Sequence, residues 1–166
     1  MKIIGFSKIG GQVQMVLKGD SSLLVNRKPF FMPDWSEKVL MTPCDVLRIS
    51  RLGKSIGVAF ANRYFDAVAP GLNMQAADWA EKGDPVRGWA FDYSMVVGKF
   101  ADIHRDIWQD IDAQPIISYT EAIHAASSVM TIRQGDMIFV DRDVAPRMPM
   151  RDEVIADGEE LYCKIK

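Results

Sequence analysis

The sequence predicts a mainly β protein of the α+β class, because short strand patterns follow one another along most of the chain. Near the start, Val13, Met15 and Leu17 alternate with polar neighbours, which is the period-two pattern of a half-buried strand. Turn residues separate the later apolar runs, and two segments have helical spacing. Many short strands with two or three helices favour a sheet-based architecture.

Further strands are predicted where apolar runs are bounded by turn residues. The turn at 18–21 leads into a strand at 23–25, and the turn at 134–136 leads into a strand at 137–140. A turn around 156–159 predicts a hairpin that closes the chain. The other predicted strands cover 46–49, 95–97 and 161–165.

Two helices are predicted from periodicity and capping signals. Between residues 58 and 69, Phe60, Tyr64 and Val68 have helical spacing, and Pro70-Gly71 is expected to end the helix. The second helix is expected to begin at Ser118, because a Ser followed three residues later by Glu fits a capping box.

Composition describes an ordinary globular chain. Its 166 residues are 48% hydrophobic and 25% charged, which excludes a disordered class and predicts a single domain over 1–166. The net charge is −2, from 20 basic and 22 acidic residues, without a long basic block. We therefore expect no nucleic-acid partner.

The cysteine pattern and the hydropathy indicate a cytoplasmic protein. Cys44 and Cys163 lie far apart and form no CxxC motif, which is typical of a reducing compartment. No apolar run approaches 18 residues, and the first residues carry no signal-peptide pattern. We therefore expect no membrane association.

Four sequence blocks stand out in the middle of the chain: PFFMPDWS at 29–36, LRISRLGK at 47–54, FANRYFDAV at 60–68 and AFD at 90–92. In this order and at these spacings they resemble the fumarylacetoacetate hydrolase family, particularly its short single-domain bacterial members. The resemblance is dense from about 29 to 98, thin between 99 and 131, and weak again at 135–139 and from 152 onward. The chain is shorter than typical members.

The resemblance implies a fold, an assembly and a chemistry. The fold is a mixed β-sandwich roll, usually built as a homodimer. Family members cleave or decarboxylate small β-keto acids around Mg²⁺ or Mn²⁺, held by three or four carboxylates because hard cations prefer oxygen ligands.

Matching the blocks places the family's metal ligands on residues that carry no charge here. Its Glu-x-Glu pair falls on Thr42 and Cys44, and its Asp falls on Asn73. Two unit charges about 4 Å apart at an effective dielectric near 20 attract by roughly 4 kcal/mol. Because three such carboxylates are missing, we predict that the chain holds no metal and needs no cofactor. We call Thr42, Cys44 and Asn73 the ancestral ligand positions.

Three further residues mark the ancestral pocket. Asp78 and Asp92 remain at family positions, where hydrogen bonding at loop ends explains them as well as function does. Trp89 replaces a Lys that helps hold substrate oxygens, and its indole is expected to fill or cap the pocket. The family's water-activating His and Glu match the segment 7–11, which contains neither, so no catalytic residue is predicted.

Other titratable residues offer weaker candidates. Asp45 follows an ancestral position, but neighbours in a strand face opposite sides, so its side chain is expected to point away. The segment 141–143, Asp-Arg-Asp, is interpreted as a solvated turn with a local ion pair. His124 is expected to form an ordinary helical side-chain pair. His104 is interpreted as part of an exposed polar segment.

Three functional hypotheses follow. The favoured one is a pseudoenzyme, a non-catalytic member of the family that keeps the fold for binding or assembly. The alternative is a Mg²⁺- or Mn²⁺-dependent hydrolase or decarboxylase of small β-keto acids with a rebuilt site, using Asp45, Asp78 and Asp92. A third is a partner subunit that docks onto an active relative through the family's dimer surface, which a mixed dimer would reveal.

Overall fold

The computed structural model describes residues 1–103 and 106–166. Within them the strands are β1 (Lys2–Ile9), β2 (Gln12–Gly19), β3 (Leu23–Val25), β4 (Val39–Ile49), β5 (Phe65–Ala76), β6 (Met95–Val97), β7 (Met137–Asp141), β8 (Val154–Asp157) and β9 (Leu161–Lys164). The α-helices are α1 (Ala77–Ala80), α2 (Pro85–Trp89) and α3 (Tyr119–Val129). Short 3-10 helices span Asp20–Ser22 and Val58–Arg63.

Strands β1 to β7 form a mixed sheet in the order β2-β1-β7-β4-β5-β6-β3. The β1–β7 and β3–β6 pairs are parallel, and the other pairs are antiparallel. The C-terminal strands β8 and β9 form a separate antiparallel hairpin. Phe30, bridged to Ile165, connects this hairpin to the segment after β3. The predicted class, α+β and mainly β, is confirmed.

The sheet curls so that distant strands meet. In the strand order, β2 lies at one edge and β5 lies four places away. Nevertheless Lys18 Nζ of β2 lies 2.9 Å from the carbonyl oxygen of Met74 in β5. The curl therefore encloses a space between β2, β5 and β7 that a flat sheet would leave open.

Among the residues that the structure describes, apolar side chains pack into two clusters, because neighbouring residues of a strand point to opposite faces. On β4, Leu47 belongs to the larger cluster, which includes Ile123 of α3. Its neighbour Val46 belongs to the smaller cluster, together with Cys44 and Phe139. The smaller cluster lies on the enclosed side, where the ancestral ligand positions are found.

The predicted cap of α3 is confirmed. Ser118 Oγ accepts a hydrogen bond from the Glu121 amide at 3.2 Å, and Glu121 Oε2 accepts one from the Ser118 amide at 3.3 Å. His124 makes a contact that the sequence did not predict, with Nδ1 lying 2.8 Å from the carbonyl oxygen of Ile56. His104 lies outside the described residues. In the part of the chain that the structure describes, no helix has the length and hydropathy to cross a membrane.

The predicted helix over 58–69 is wrong. Only Val58–Arg63 is helical, as a 3-10 turn, and β5 then runs straight through Pro70-Gly71. Most of β5 is buried, so its near-continuous apolar run lacks the alternation that identifies a strand. Gly71 serves close packing, since an added Cβ would lie 2.7 Å from Val46 Cγ2 and 2.8 Å from the carbonyl oxygen of Val96.

Candidate functional site

The strand register brings the ancestral ligand positions together. Thr42 of β4 lies opposite Asn73 of β5, and Cys44 of β4 lies opposite Asp141 of β7. Thr42 and Cys44 are two residues apart and share one face of their strand. The structure therefore places these residues at one point on the enclosed side of the sheet, and it adds a carboxylate, Asp141.

Thr42, Cys44, Asn73 and Asp141 form one polar group. Asp141 is at its centre and is only 3% exposed. Ser7 Oγ donates a hydrogen bond to its Oδ2 at 2.5 Å, and Asn73 Nδ2 lies 3.2 Å from both carboxylate oxygens. Burial raises the pKa of Asp141 to about 7, although the bonds from Ser7 and Asn73 and the charge of Lys18 oppose this rise. A buried carboxylate therefore lies where the sequence predicted none.

The expected solvated turn at 141–143 is wrong for its first two residues. Asp141 is the last residue of strand β7, and its side chain points into the enclosed space. Arg142 is also buried, and its Nε lies 2.7 Å from Asp45 Oδ1. Only Asp143 fits the expectation, since it pairs on the surface with Lys8 at 2.7 Å.

Lys18 is a second buried charge that the sequence did not predict. The alternation in β2 suggested that Val13 and Leu17 face the core, but Leu17 is 49% exposed and Lys18 is 1% exposed. Val16 shares the buried face with Lys18. The apolar Val16, two residues before Lys18, was the one local signal that this face of β2 points inward. Burial lowers the pKa of Lys18 to about 7, and the charge of Asp141 opposes this fall.

The donor set does not fit Mg²⁺ or Mn²⁺. Such ions prefer several charged oxygen ligands, and the group offers one carboxylate, on Asp141. The Cys44 thiol is held neutral, because burial and the charges of Asp141 and Asp45 raise its pKa well above the ordinary value. Lys18 adds a positive charge. Among the described residues, no three His, Cys, Asp or Glu side chains are arranged to hold a metal.

One polar atom of the group has no partner. Asn73 Oδ1 is buried and has no hydrogen-bond partner, because the amide presents its nitrogen to Asp141. An unsatisfied buried carbonyl costs roughly 1–3 kcal/mol. The orientation is the one that an ionised Asp141 requires, since a carboxylate can only accept hydrogen bonds.

The cavity at the group is small. It has a volume of about 40 Å³ and is lined in part by Ser7, Thr42 and Asp141. Small-molecule sites generally occupy about 300–1,000 Å³, whereas this cavity has room only for water. An open groove of about 320 Å³ adjoins it through the shared residue Gln75 and runs past Trp89.

The three ancestral pocket residues separate in the structure. Trp89 is 6% exposed and packs in the same apolar cluster as Cys44. Asp78, at the start of α1, accepts hydrogen bonds from Ser36 Oγ at 2.7 Å and from the Glu37 amide at 3.0 Å. Asp92 is exposed. Only Trp89 is therefore brought to the polar group.

Asp45 points away from that group, as strand alternation predicts. Its side chain is fully buried and accepts hydrogen bonds from Arg142 Nε at 2.7 Å, Trp108 Nε1 at 2.9 Å and Tyr119 Oη at 2.5 Å. Burial and the neighbouring Asp45 charge raise the pKa of Tyr119, so the phenol remains a donor. An open depression of about 550 Å³ lies beside Tyr119 and Arg142.

Both cysteine thiols are expected to be unreactive in the folded protein. Cys44 and Cys163 are 0% exposed, and burial raises the pKa of each thiol. The thiolate is the nucleophile, so a disulfide reagent such as Ellman's reagent should modify neither cysteine before unfolding and both in denaturant. Rapid modification of Cys44 in the native protein would contradict this arrangement.

The fold is similar to that of several solved structures. A Burkholderia cenocepacia protein provisionally assigned as a fumarylpyruvate hydrolase superposes with a TM-score of 0.85 at 13% identity, over 99% of this chain and 88% of that chain. The fumarylpyruvate hydrolase of Pseudomonas aeruginosa, in complex with Mn²⁺ and pyruvate, gives 0.75 at 17% identity, over 99% and 88%.

A Yersinia pestis CO92 protein provisionally assigned to the fumarylacetoacetate hydrolase family gives a TM-score of 0.80 at 16% identity, over 99% of this chain and 92% of that chain. No family model and no curated protein matches the sequence. The chain therefore has the fold of the fumarylacetoacetate hydrolase family, as its sequence blocks predicted. At these identities the similarity shows the fold alone.

Proposed function

We propose that this chain is a non-catalytic protein that keeps the fold of the fumarylacetoacetate hydrolase family as a scaffold for binding or assembly. The proposal rests on the residues that occupy the ancestral ligand positions. Thr42, Cys44 and Asn73 converge there beside a cavity of about 40 Å³, and none of the three carries a charge. A keto acid and a divalent ion do not fit into a space of that size.

The buried charges also work against catalysis. Asp141 is enclosed by Ser7 and Asn73, and the Lys18 ammonium is surrounded by backbone carbonyls. A general base must reach a proton on a bound substrate or water. Each of these two groups instead binds neighbouring polar atoms of the protein, as a packed interior requires.

Two surface features support binding or assembly. The groove of about 320 Å³ beside Gln75 and Trp89 has the size of a small-molecule site. On the outer face of edge strand β2, Val13, Met15 and Leu17 are 40%, 36% and 49% exposed. Such an apolar stripe suits a second subunit, either another copy of this chain or an active relative.

A second candidate function rests on the pair formed by Ser7 and Asp141. The hydroxyl and the carboxylate are 2.5 Å apart, and the pKa of Asp141 is raised to about 7, as suits a general base. This arrangement favours a hydrolase or decarboxylase of small β-keto acids with a rebuilt site. Among the described residues, the donor set around this pair does not fit a metal.

An activity assay separates the two functions. The purified protein is incubated with acylpyruvates and with oxaloacetate, in Mn²⁺ or in EDTA, and turnover is followed. The scaffold proposal predicts no turnover above the rate without protein. Turnover that disappears in Asp141→Asn but survives in the exposed-site control Asp143→Asn would establish the second function instead. Turnover that EDTA abolishes would also overturn the scaffold proposal.

A further inference from the structure

The environment of the Lys18 side chain is unusual for a lysine. Its Nζ is completely enclosed and lies 2.9 Å from the carbonyl oxygen of Met74, 2.8 Å from that of Trp89 and 3.1 Å from that of Ser94. Ser94 Oγ is a fourth oxygen, at 3.0 Å. These oxygens come from β5, the end of α2 and the residue before β6, so one ammonium connects three elements to β2.

The acceptors favour the charged form of Lys18. All three carbonyl groups accept hydrogen bonds only, and an ammonium offers three donors. Ser94 Oγ donates its own proton to the Trp89 carbonyl at 2.9 Å, so it too presents a lone pair to Nζ. The rings of Trp89, Phe91 and Phe139 have centroids 5.9–6.0 Å from Nζ, a distance at which their faces attract a cation.

A nearby negative group completes this environment. The charge of Asp141 acts on Lys18, and Asp141 lies opposite Cys44, at the ancestral ligand positions. Lys8, an exposed lysine of the same β1–β2 hairpin, pairs on the surface with Asp143. Lys18 therefore differs from it in burial, in partners and in the number of elements that it connects.

We propose that the Lys18 ammonium is a resident cation of this fold, which supplies from within the chain the positive charge that a bound metal would supply. It attaches β2 to β5, α2 and β6 through oxygen ligands and compensates the buried Asp141 carboxylate. The residues present do not fit a divalent ion. With the Lys18 ammonium in place no such ion is needed, because the positive charge is already part of the chain.

The test compares Lys18→Met with Lys8→Met by thermal unfolding. Methionine keeps an apolar side chain of similar length but leaves the carbonyls of Met74, Trp89 and Ser94 without their donor. Lys18→Met is expected to lower the Tm by at least about 10 °C, because several buried acceptors lose their partner. Lys8→Met, which removes an exposed pair, should change it by no more than about 2 °C. Equal small effects would overturn the proposal.

A double-mutant comparison tests the charge compensation. Asp141→Asn in the Lys18→Met background should recover part of the lost Tm, because it removes a carboxylate that has lost its compensating charge. In the wild-type background the same substitution should lower the Tm. Effects of Asp141→Asn that are the same in both backgrounds would contradict the compensation.

A measurement on the wild-type protein applies even where Lys18→Met does not fold. Nitrogen-15 NMR of the lysine side chains should show one ammonium group whose protons exchange slowly with water at pH 6–7, and this signal should belong to Lys18. Absence of any protected ammonium would overturn the proposal. This inference goes beyond the scaffold function: turnover of a keto acid would refute the function and leave the Lys18 results standing.

Discussion

Replacement of Asp45 by alanine is expected to lower the free energy of unfolding by about 3–5 kcal/mol, because it breaks a buried ion pair from one side. The carboxylate is 0% exposed and receives bonds from Arg142, Trp108 and Tyr119. Without it, the guanidinium of Arg142, which is 8% exposed, loses its carboxylate partner. The effect is measured by denaturant unfolding at neutral pH.

The chain contains a matched control for this prediction. Arg48 and Asp66 form an ion pair between β4 and β5 with the same atoms, Nε to Oδ1, at 2.8 Å, but both side chains are about half exposed. Asp66→Ala should lower the free energy of unfolding by no more than about 1 kcal/mol. If Asp45→Ala has an effect as small as Asp66→Ala, the buried network is not a source of stability.

Restoring the family's carboxylates is expected to create a metal response that the wild-type chain lacks. In the triple variant Thr42→Glu, Cys44→Glu and Asn73→Asp, four carboxylates including Asp141 would converge, because the register already brings these positions together. In EDTA the variant should melt below the wild type, since like charges repel. Mn²⁺ at about 100 times its dissociation constant should then add roughly 2.7 kcal/mol of stability.

A neutral counterpart separates charge from size in this experiment. Thr42→Gln with Cys44→Gln introduces side chains of the same length without the charges, and it leaves Asn73 unchanged. This control should also melt below the wild type, because larger side chains crowd a packed interior, but Mn²⁺ should not restore it. An Mn²⁺ response no larger in the triple variant than in the control would mean that the positions no longer converge on a metal.

Local signals in the sequence predicted much of the fold. The Ser118 capping box and the turn at 134–136 depend on interactions between residues a few positions apart, so a short stretch of sequence is enough to predict them. Strand alternation also placed Asp45 on the face opposite Cys44. The convergence of Thr42 with Asn73 depends on the register of two strands, and there the family resemblance was needed.

The two buried charges were not predictable from local pattern. In β2 the alternation of Val13, Met15 and Leu17 suggested the wrong inner face, because an apolar residue was assumed to be buried and a lysine exposed. Lys18 is buried since the curl of the sheet brings carbonyls from β5, α2 and the Ser94 region to it. No window of neighbouring residues contains that information.

Asp141 was missed for a related reason. An Asp-Arg-Asp sequence has the composition of a solvated turn, and only the length of β7 decides that its first residue points inward. The partners of that residue, Ser7 and Asn73, lie more than 60 positions away. Long-range pairing of this kind decides which polar residues of the chain become its interior charges.

Thermal unfolding of the wild-type protein tests whether this fold is maintained without a metal. The Tm is measured with millimolar Mg²⁺, with millimolar Mn²⁺ and with EDTA at the same ionic strength. We expect the same Tm in all three conditions, because the ancestral ligand positions carry no carboxylate. A rise of several degrees with either ion, as expected for a ligand well above its dissociation constant, would reveal a working metal site and contradict a metal-free fold.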